Sequence, residues 1–416
     1  MVKDYIKAQK ILKKYNQEHL LYFFDKLEDD EKNILIKQIL NTDFKTLNRI
    51  YNNSFKDDSI DSSRISPIKY YTKSRLSDEE KEKYISIGES IIKENKLAVL
   101  TLAGGQGTRL GFKGPKGCYE LDLDVKKSLF ELICDKLKSV YNRYGVYLNW
   151  YIMTSVDNDE SARNYFEKKK YFEYPKDKIY FFKQHTIEIM DKEGKVLLDK
   201  LYSIKRASNG NGDVFRAFKR YHLENTLNNI EWISISGIDN IILEIVDPLF
   251  IGITVSDKSM ASSKSICKKD LEAKDYVFAK VDNGVNIIPP NNLTEEQKYS
   301  KNDDGLYNYN QINILSHLFN KKTFLEIAKL KLPYHRAFKK NDYIDKTGMK
   351  VVVKEPNSFK FEKFIFDSFK YINNFTLLEV KENDEFAPIK AFTGDYTPET
   401  AMDLYCKKYN VKRKEN

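Results

Sequence analysis

The pattern of apolar positions changes character close to residue 96, from helical spacing to alternating strands and helices. Upstream they recur at helical spacing: Leu20, Leu21, Phe23, Phe24 and Leu27, then Leu35, Ile36, Ile39 and Leu40. Asp43 and Thr46 stand where a further short helix could start. A polar stretch from Asp57 to Arg64, with Pro67 after it, predicts a loop before a helix over 78–93. Downstream, Leu97-Ala98-Val99-Leu100-Thr101-Leu102 is a short apolar run ending in glycines, which is how a buried parallel strand reads. The pattern then predicts a helix from Ser128 to Tyr141, a strand from Leu148 to Met153, a helix from Glu160, and strands at Ile179–Phe182 and Trp232–Ile235. Such alternation predicts an α/β fold with a doubly wound, mostly parallel sheet, whose ligands bind at the carboxyl ends of strands. The expected organisation is a helical region over 1–95, the sheet domain over 96–398 and a short tail over 399–416.

Composition changes this picture little. With 416 residues, 41% hydrophobic and 13% aromatic, the chain has ample material for folded cores, which excludes a fully disordered chain. The net charge of +9 comes from lysines interleaved with acids rather than from a basic stripe, so no nucleic-acid partner is expected, although an anionic ligand suits it. Four cysteines lie scattered with no Cys-x-x-Cys, which argues against a zinc site and fits a reducing compartment. The amino terminus has no apolar leader, and the most apolar stretch, Trp232 to Val255, is interrupted by Asp239, Glu244 and Asp247. A cytoplasmic protein without a membrane partner is the expectation.

The chemistry concentrates where the first strand ends. Leu102-Ala103-Gly104-Gly105-Gln106-Gly107-Thr108-Arg109-Leu110-Gly111 matches neither the P-loop string nor the dinucleotide fingerprint, since counting Gly-x-Gly-x-x-Gly from Gly105 reaches Leu110. Glycines let backbone N–H groups approach phosphate oxygens. Arg109 in the loop and Lys116 in Pro115-Lys116-Gly117 would place two cations over a polyphosphate, the clamp that phosphoryl and nucleotidyl transfer use. Asp239, at the end of the strand from Trp232, is either a turn residue or a carboxylate that could hold Mg²⁺ against phosphates. Asn209-Gly210-Asn211-Gly212, taken alone, reads as a hairpin turn, and His185 as a packed or surface histidine.

The loop string with its downstream Pro-Lys-Gly resembles the signature of the eukaryotic-type UDP-N-acetylglucosamine pyrophosphorylases. The likeness continues in chain order through Gln17-Glu18-His19-Leu20-Leu21, Trp150–Ser155, Asn209–Gly212 and Asp239-Asn240 with Asp247–Gly252. It ends with Glu362-Lys363-Phe364-Ile365-Phe366-Asp367 and Asp384-Glu385-Phe386-Ala387-Pro388-Ile389-Lys390. The resemblance implies a Rossmann-like nucleotidyltransferase domain over 96–398. It also implies a Mg²⁺-assisted reaction of UTP with N-acetylglucosamine 1-phosphate, by in-line attack on the α-phosphate. The nucleophile is already anionic, so no general base is required, which agrees with the lack of a convincing triad.

Residue by residue, the resemblance assigns Arg109, Lys116 and Lys390 to catalysis and Leu102, Ala103, Gly104, Gly105 and Gly210 to the nucleotide. Gln184 would read uracil and Asp239 would take the phosphates and metal. Lys339, or its neighbour Lys340, would contact phosphate, Asn211 and Asn308 would contact the sugar, and Lys390 would hold the sugar phosphate. Two family strings differ here. A glutamate-bearing string that contacts sugar is replaced by Val285–Asn292, and the following Asn-Ala-Gly-Asn appears as Asn308-Tyr309-Asn310-Gln311. Glucose 1-phosphate and N-acetylgalactosamine 1-phosphate therefore stay open as substrates, as does a uridine-nucleotide-binding protein of weak turnover. The chain stops soon after the lysine motif, so the family's carboxy-terminal β domain is expected to be absent, and a monomer is the expected state.

Overall fold

The computed structural model describes residues 2–55 and 60–413; Asp57, Asp58 and Ser59 of the expected loop and residues 414–416 of the expected tail lie outside the described residues. Packing gathers the chain into two compact units. One comprises Met1–Asp58, His185–Asp213 and Leu332–Phe364, and the other Ser59–Gln184, Val214–Lys331 and Ile365–Asn416. These bounds do not follow the division at residues 95 and 398, because two distant segments return to the amino-terminal helices and complete their core.

The second unit is built on a mixed sheet. Its main strands are β1 (Tyr71–Thr72), β2 (Leu97–Leu102), β3 (Asn149–Thr154), β4 (Ile179–Lys183), β5 (Trp232–Gly237), β6 (Ala261–Cys267), β7 (Gln311–Asn320) and β8 (Phe375–Glu379). They lie in the order β1-β8-β6-β7-β5-β2-β3-β4. All are parallel to their neighbours except β7, which runs antiparallel to both β5 and β6. The sheet is thus largely parallel, as the alternating pattern predicts. All six residues of β2 are buried, the signature of a strand covered on both faces. Trp150 on β3 lies wholly inside, where its indole N–H donates to Thr101 Oγ1 on β2 (2.9 Å) and its ring packs on Phe166.

Helices α1 (Asp78–Lys93), α2 (Leu129–Tyr144), α3 (Asp159–Lys168) and α4 (Pro248–Ser256) connect or cover these strands. Their starts are written in the sequence. Ser77 and Glu80 form a reciprocal capping box on α1, and Asp247 caps α4 ahead of Pro248. Two sequence expectations change here. Within the helical region, Ile65–Ser66 and Tyr71–Thr72 join the sheet as short strands. The tail contains a further helix, α5 (Pro398–Tyr409), which buries Ala401 and Tyr405 and extends Lys408 to the carbonyls of Ile242 and Asp384.

The first unit packs the helices Val2–Lys14, Asp29–Asn41 and Phe44–Asn53 on short strands, with Leu12, Leu35, Ile39, Met190 and Phe361 in its core. Asp43 caps the third helix through Thr46, as its position predicts. Gln17 is buried and its amide bonds both Gly194 O (2.8 Å) and Val196 N (2.9 Å). The Gln17–Leu21 motif is thereby accounted for by packing.

Candidate active site at the strand ends

Four adjacent parallel strands bring their carboxyl ends to one edge of the sheet. Gly237 pairs with Leu102, Leu102 with Met153, and Thr154 with Lys183, so β5, β2, β3 and β4 finish level with one another. The chain runs from β2 outward to β3 and β4, then crosses to the other side of β2 as β5. The connectivity reverses between β2 and β5, which is where open α/β sheets bind ligands. Ile238–Asp239, Ala103–Gly105, Ser155–Asn158 and Gln184 are the first residues beyond these ends.

The glycine loop leaves β2 with Ala103 N on Met153 O (2.8 Å) and closes when Lys116 N donates to Gly105 O (3.0 Å). Asn158 sits beneath it, nearly fully buried, and its amide donates to Ala103 O (3.0 Å) and Gly105 O (3.1 Å) while accepting from Ser155 N (2.7 Å). Among the described residues, the N–H groups of Gly104, Gly105 and Gln106 have no protein acceptor. With the Ala103 and Gly105 carbonyls bonded to Asn158, these N–H groups are the loop's unused donors, the kind an anion would take.

Gly104 is faced closely by Gln184. A Cβ there would fall 2.1 Å from Gln184 Nε2, so the glutamine amide lies directly on the loop backbone. Gln184 is 6% exposed, and its Oε1 is buried without a hydrogen-bond partner among the described residues. Buried polar atoms are ordinarily satisfied, and an orphaned acceptor at a strand end suits a ligand donor.

Lys116 Nζ reaches Asp239 Oδ2 at 3.0 Å, joining the loop's exit to the end of β5. The segment Asp384–Lys390 is stitched to the same turn. Asn240 Nδ2 donates to Glu385 O (2.8 Å), Asn240 Oδ1 accepts from Ala387 N (2.9 Å), and Ile389 N donates to Asp239 O (3.0 Å). That ladder places Lys390, exposed and with Nζ 4.5 Å from the Tyr396 ring centre, one residue from the Asp239 backbone. Arg109 is exposed on the loop, with no ion pair among the described residues.

Glu244, Asp247 and Glu385 offer carboxylate oxygens within 4.8 Å of one another. Their charge is already answered. Lys264, wholly buried, bonds Glu385 (2.5 Å) and Asp247 (2.7 Å), and Lys73 bonds Glu385 (3.1 Å). Burial opposes ionisation of Asp247, yet Lys264 and Lys73 outweigh it and hold the carboxyl down at about 2. Ammonium groups occupy the place a cation would take, so the cluster is an ion-pair network bracing the Glu385 segment. Asp239 is also paired, to Lys116 through Oδ2, but it is partly exposed at a strand end and keeps Oδ1 for a cation that phosphate oxygens would complete, which fits Mg²⁺ better.

The remaining expected residues belong to other segments of the chain. Gly210, Asn211 and Lys339 belong to the first unit. Asn209–Gly212 is not a hairpin: Arg206–Ser208 pairs with Thr186–Glu188, and the chain then enters a 3-10 turn over Asn211–Asp213. Gly210 has φ +94°, and a Cβ there would meet Lys363 O at 2.3 Å, so the segment lies flat on the backbone at Glu362–Phe364. His185 gains a partner in Asp213 (2.5 Å). Lys339 and Lys340 are both exposed at the end of the strand His335–Lys339. Asn308 belongs to the second unit, where its amide serves a local bond to Ser300 Oγ (3.1 Å).

Sequence reasoning missed Asn158, Asn240 and Leu315. An Asn at a helix start reads as a cap, and Asn240 was visible only as a neighbour of Asp239. Leu315 has φ +55° in a bulge of β7, with its N–H on Asn313 Oδ1 (2.9 Å). A Cβ on Gly237 would lie 2.9 Å from both Leu315 Cδ2 and Asp239 Oδ1, so this strained residue borders the site.

Residues 41–412 match the family described as UTP–glucose-1-phosphate uridylyltransferase. The chain is 32% identical over 417 residues to UDP-N-acetylglucosamine diphosphorylase 1 of Arabidopsis thaliana, covering 94% of this chain and 81% of that one. It is 34% identical over 373 residues to the UDP-N-acetylglucosamine pyrophosphorylase of Saccharomyces cerevisiae, covering 85% and 77%. The structure of the uridine diphosphate N-acetylglucosamine pyrophosphorylase of Trypanosoma brucei superposes with TM-score 0.80 at 25% identity, covering 98% of this chain and 85% of that one. Strand ends, glycine loop and relatives agree: the chain belongs to the UTP–glucose-1-phosphate uridylyltransferase family, beside its UDP-N-acetylglucosamine pyrophosphorylases.

Proposed function

We infer that this chain transfers a uridylyl group from UTP to N-acetylglucosamine 1-phosphate, giving UDP-N-acetylglucosamine and pyrophosphate. A phosphate oxygen of the sugar phosphate attacks the α-phosphorus, the bond from that phosphorus to the bridging oxygen breaks, and pyrophosphate leaves with the electron pair. The observation that carries this reading is the Lys116–Asp239 pair, a cation and an anion held where the loop closes on the end of β5. Lys116 would neutralise charge on the phosphates, and Lys390 and Arg109 would bring the second polyanion into line. Mg²⁺, held by Asp239, would supply charge neutralisation at the phosphates when bound. Leu102, Ala103, Gly104 and Gly105 would line the nucleotide, and the unpartnered Gln184 Oε1 would accept from the uracil N–H. For Gly210 and Lys339 the proposed contact is the nucleotide, and for Asn211 and Asn308 the sugar, on the likeness of their motifs.

A second reading changes only the sugar. Val285–Ile288 lies in the strand Gly284–Ile288, where the family's sugar-contacting glutamate has no counterpart, and Asn286 spends its amide on Gly284 O (2.9 Å). Glucose 1-phosphate or N-acetylgalactosamine 1-phosphate would then be the acceptor. Pyrophosphate release from UTP and Mg²⁺ over a panel of sugar 1-phosphates tests both readings. The first expects N-acetylglucosamine 1-phosphate to give the highest kcat/KM and fails if another sugar does. Among the described residues no helix is long and apolar enough to cross a membrane. A monomer acting in the cytoplasm completes the proposal.

A further inference from the structure

Asn158 occupies the N-cap position of α3, where an asparagine oxygen ordinarily accepts an N–H of the first helical turn. Here it makes no such bond. Its oxygen takes Ser155 N, and its two amide hydrogens go to Ala103 O and Gly105 O. The side chain is 1% exposed and its hydrogen-bonding capacity is used entirely away from the helix it begins. Gly105 O receives a second donor, Lys116 N, so one carbonyl ties Asn158 to the segment that carries the phosphate-facing lysine.

We propose that Asn158 is a positioning residue for the nucleotide: it holds the carbonyls of Ala103 and Gly105 down, so that the N–H groups of Gly104, Gly105 and Gln106 stay turned toward a triphosphate. This rests on the assignment of the glycine loop to UTP. A peptide plane that presents its N–H to an anion must bury its carbonyl, and a buried carbonyl needs a donor. Asparagine supplies two donors and one acceptor in one plane, which no other short side chain does. An aspartate in place of the amide would offer no donor to either carbonyl and would set a negative charge under the loop.

The test separates stability from ligand use. Asn158→Ser can cap α3 with its hydroxyl, which favours the fold, yet cannot span both carbonyls. It is expected to keep the thermal midpoint within a few degrees of the native chain while the Kd for UTP with Mg²⁺, read by calorimetry, rises at least about tenfold. KM for UTP should rise in parallel and KM for the sugar phosphate should stay put. Asn158→Asp should weaken UTP more than Asn158→Ser does; if the aspartate variant does not fold, the serine variant decides. An unchanged Kd for UTP in a folded Asn158→Ser, or equal losses for both substrates alongside a lowered midpoint, overturns the role. Pyrophosphate release by the unaltered chain judges the uridylyltransfer reading separately, because the UTP titration needs no turnover.

Discussion

Lys116 Nζ lies 3.0 Å from Asp239 Oδ2, which couples the end of the glycine loop to the end of the neighbouring strand. Both side chains are partly exposed, at 12% and 27%, and such a pair is worth at most about 1 kcal/mol to the fold. Its value lies in placing a cation and an anion where phosphates would arrive. Lys116→Ala is therefore expected to fold normally and to lose roughly two to four orders of magnitude in kcat. Steady-state pyrophosphate release with a thermal melt on the same sample checks this, and near-native turnover would remove Lys116 from the chemistry.

Gly104→Ala brings a methyl group into the Gln184 amide, since the Cβ would stand 2.1 Å from Nε2. Either the loop or Gln184 must move, and both line the proposed nucleotide site. The expected outcome is a rise in KM for UTP of about tenfold or more with a modest loss of stability, on the order of 1–3 kcal/mol. Unchanged KM for UTP would show that Gln184 does not meet the base.

Glu385 braces the Asp384–Lys390 segment from inside the core. Its carboxylate holds Lys264, and both side chains are essentially inaccessible. Removing one member of a buried pair leaves the other charge uncompensated, so Glu385→Ala is expected to cost about 3–5 kcal/mol in urea unfolding. A loss below about 1 kcal/mol would mean that Asp247 alone satisfies Lys264.

Lys136 gives the fold a pH dependence of known sign. Its amino group is enclosed between Ile241 O (2.7 Å) and Leu243 O (2.8 Å), and burial first, then the nearby Lys408, push it down to about 7. In the unfolded chain a lysine titrates near 10.4. Between about pH 7 and 10 the unfolded chain holds a proton that the folded chain has released, so this group's penalty shrinks as pH rises, by up to about 1.4 kcal/mol per unit. Below that window both states are protonated and the contribution is flat. Stability of the native chain minus that of Lys136→Met, measured by urea unfolding at pH 7, 8 and 9, should climb with pH; a flat difference would contradict it.

The legible part of this fold was local. Buried β2 and its glycines could be read directly because a strand covered on both faces has no polar alternation, and Asp43 announced its helix through its cap. Strand order was not legible. The antiparallel β7 is inserted between β5 and β6 by contacts distant in sequence, and its pattern, with buried His317 and bulged Leu315, resembles no regular period. At the site, Lys116 and Asp239 were readable from their places beside a strand end, and the structure joins them. Asn158 and Asn240 were not, because each works through its side-chain amide on the backbone of another segment, a relation that a linear motif does not encode.

Uridylyl transfer at this site requires that the strand-end cradle receive UTP, which a crystal structure of the chain grown with UTP and Mg²⁺ would show. The triphosphate should lie on the N–H groups of Gly104 and Gly105 with Lys116 beside it and uracil against Gln184. A triphosphate bound away from the glycine loop, or an empty loop at saturating nucleotide, would rule this site out.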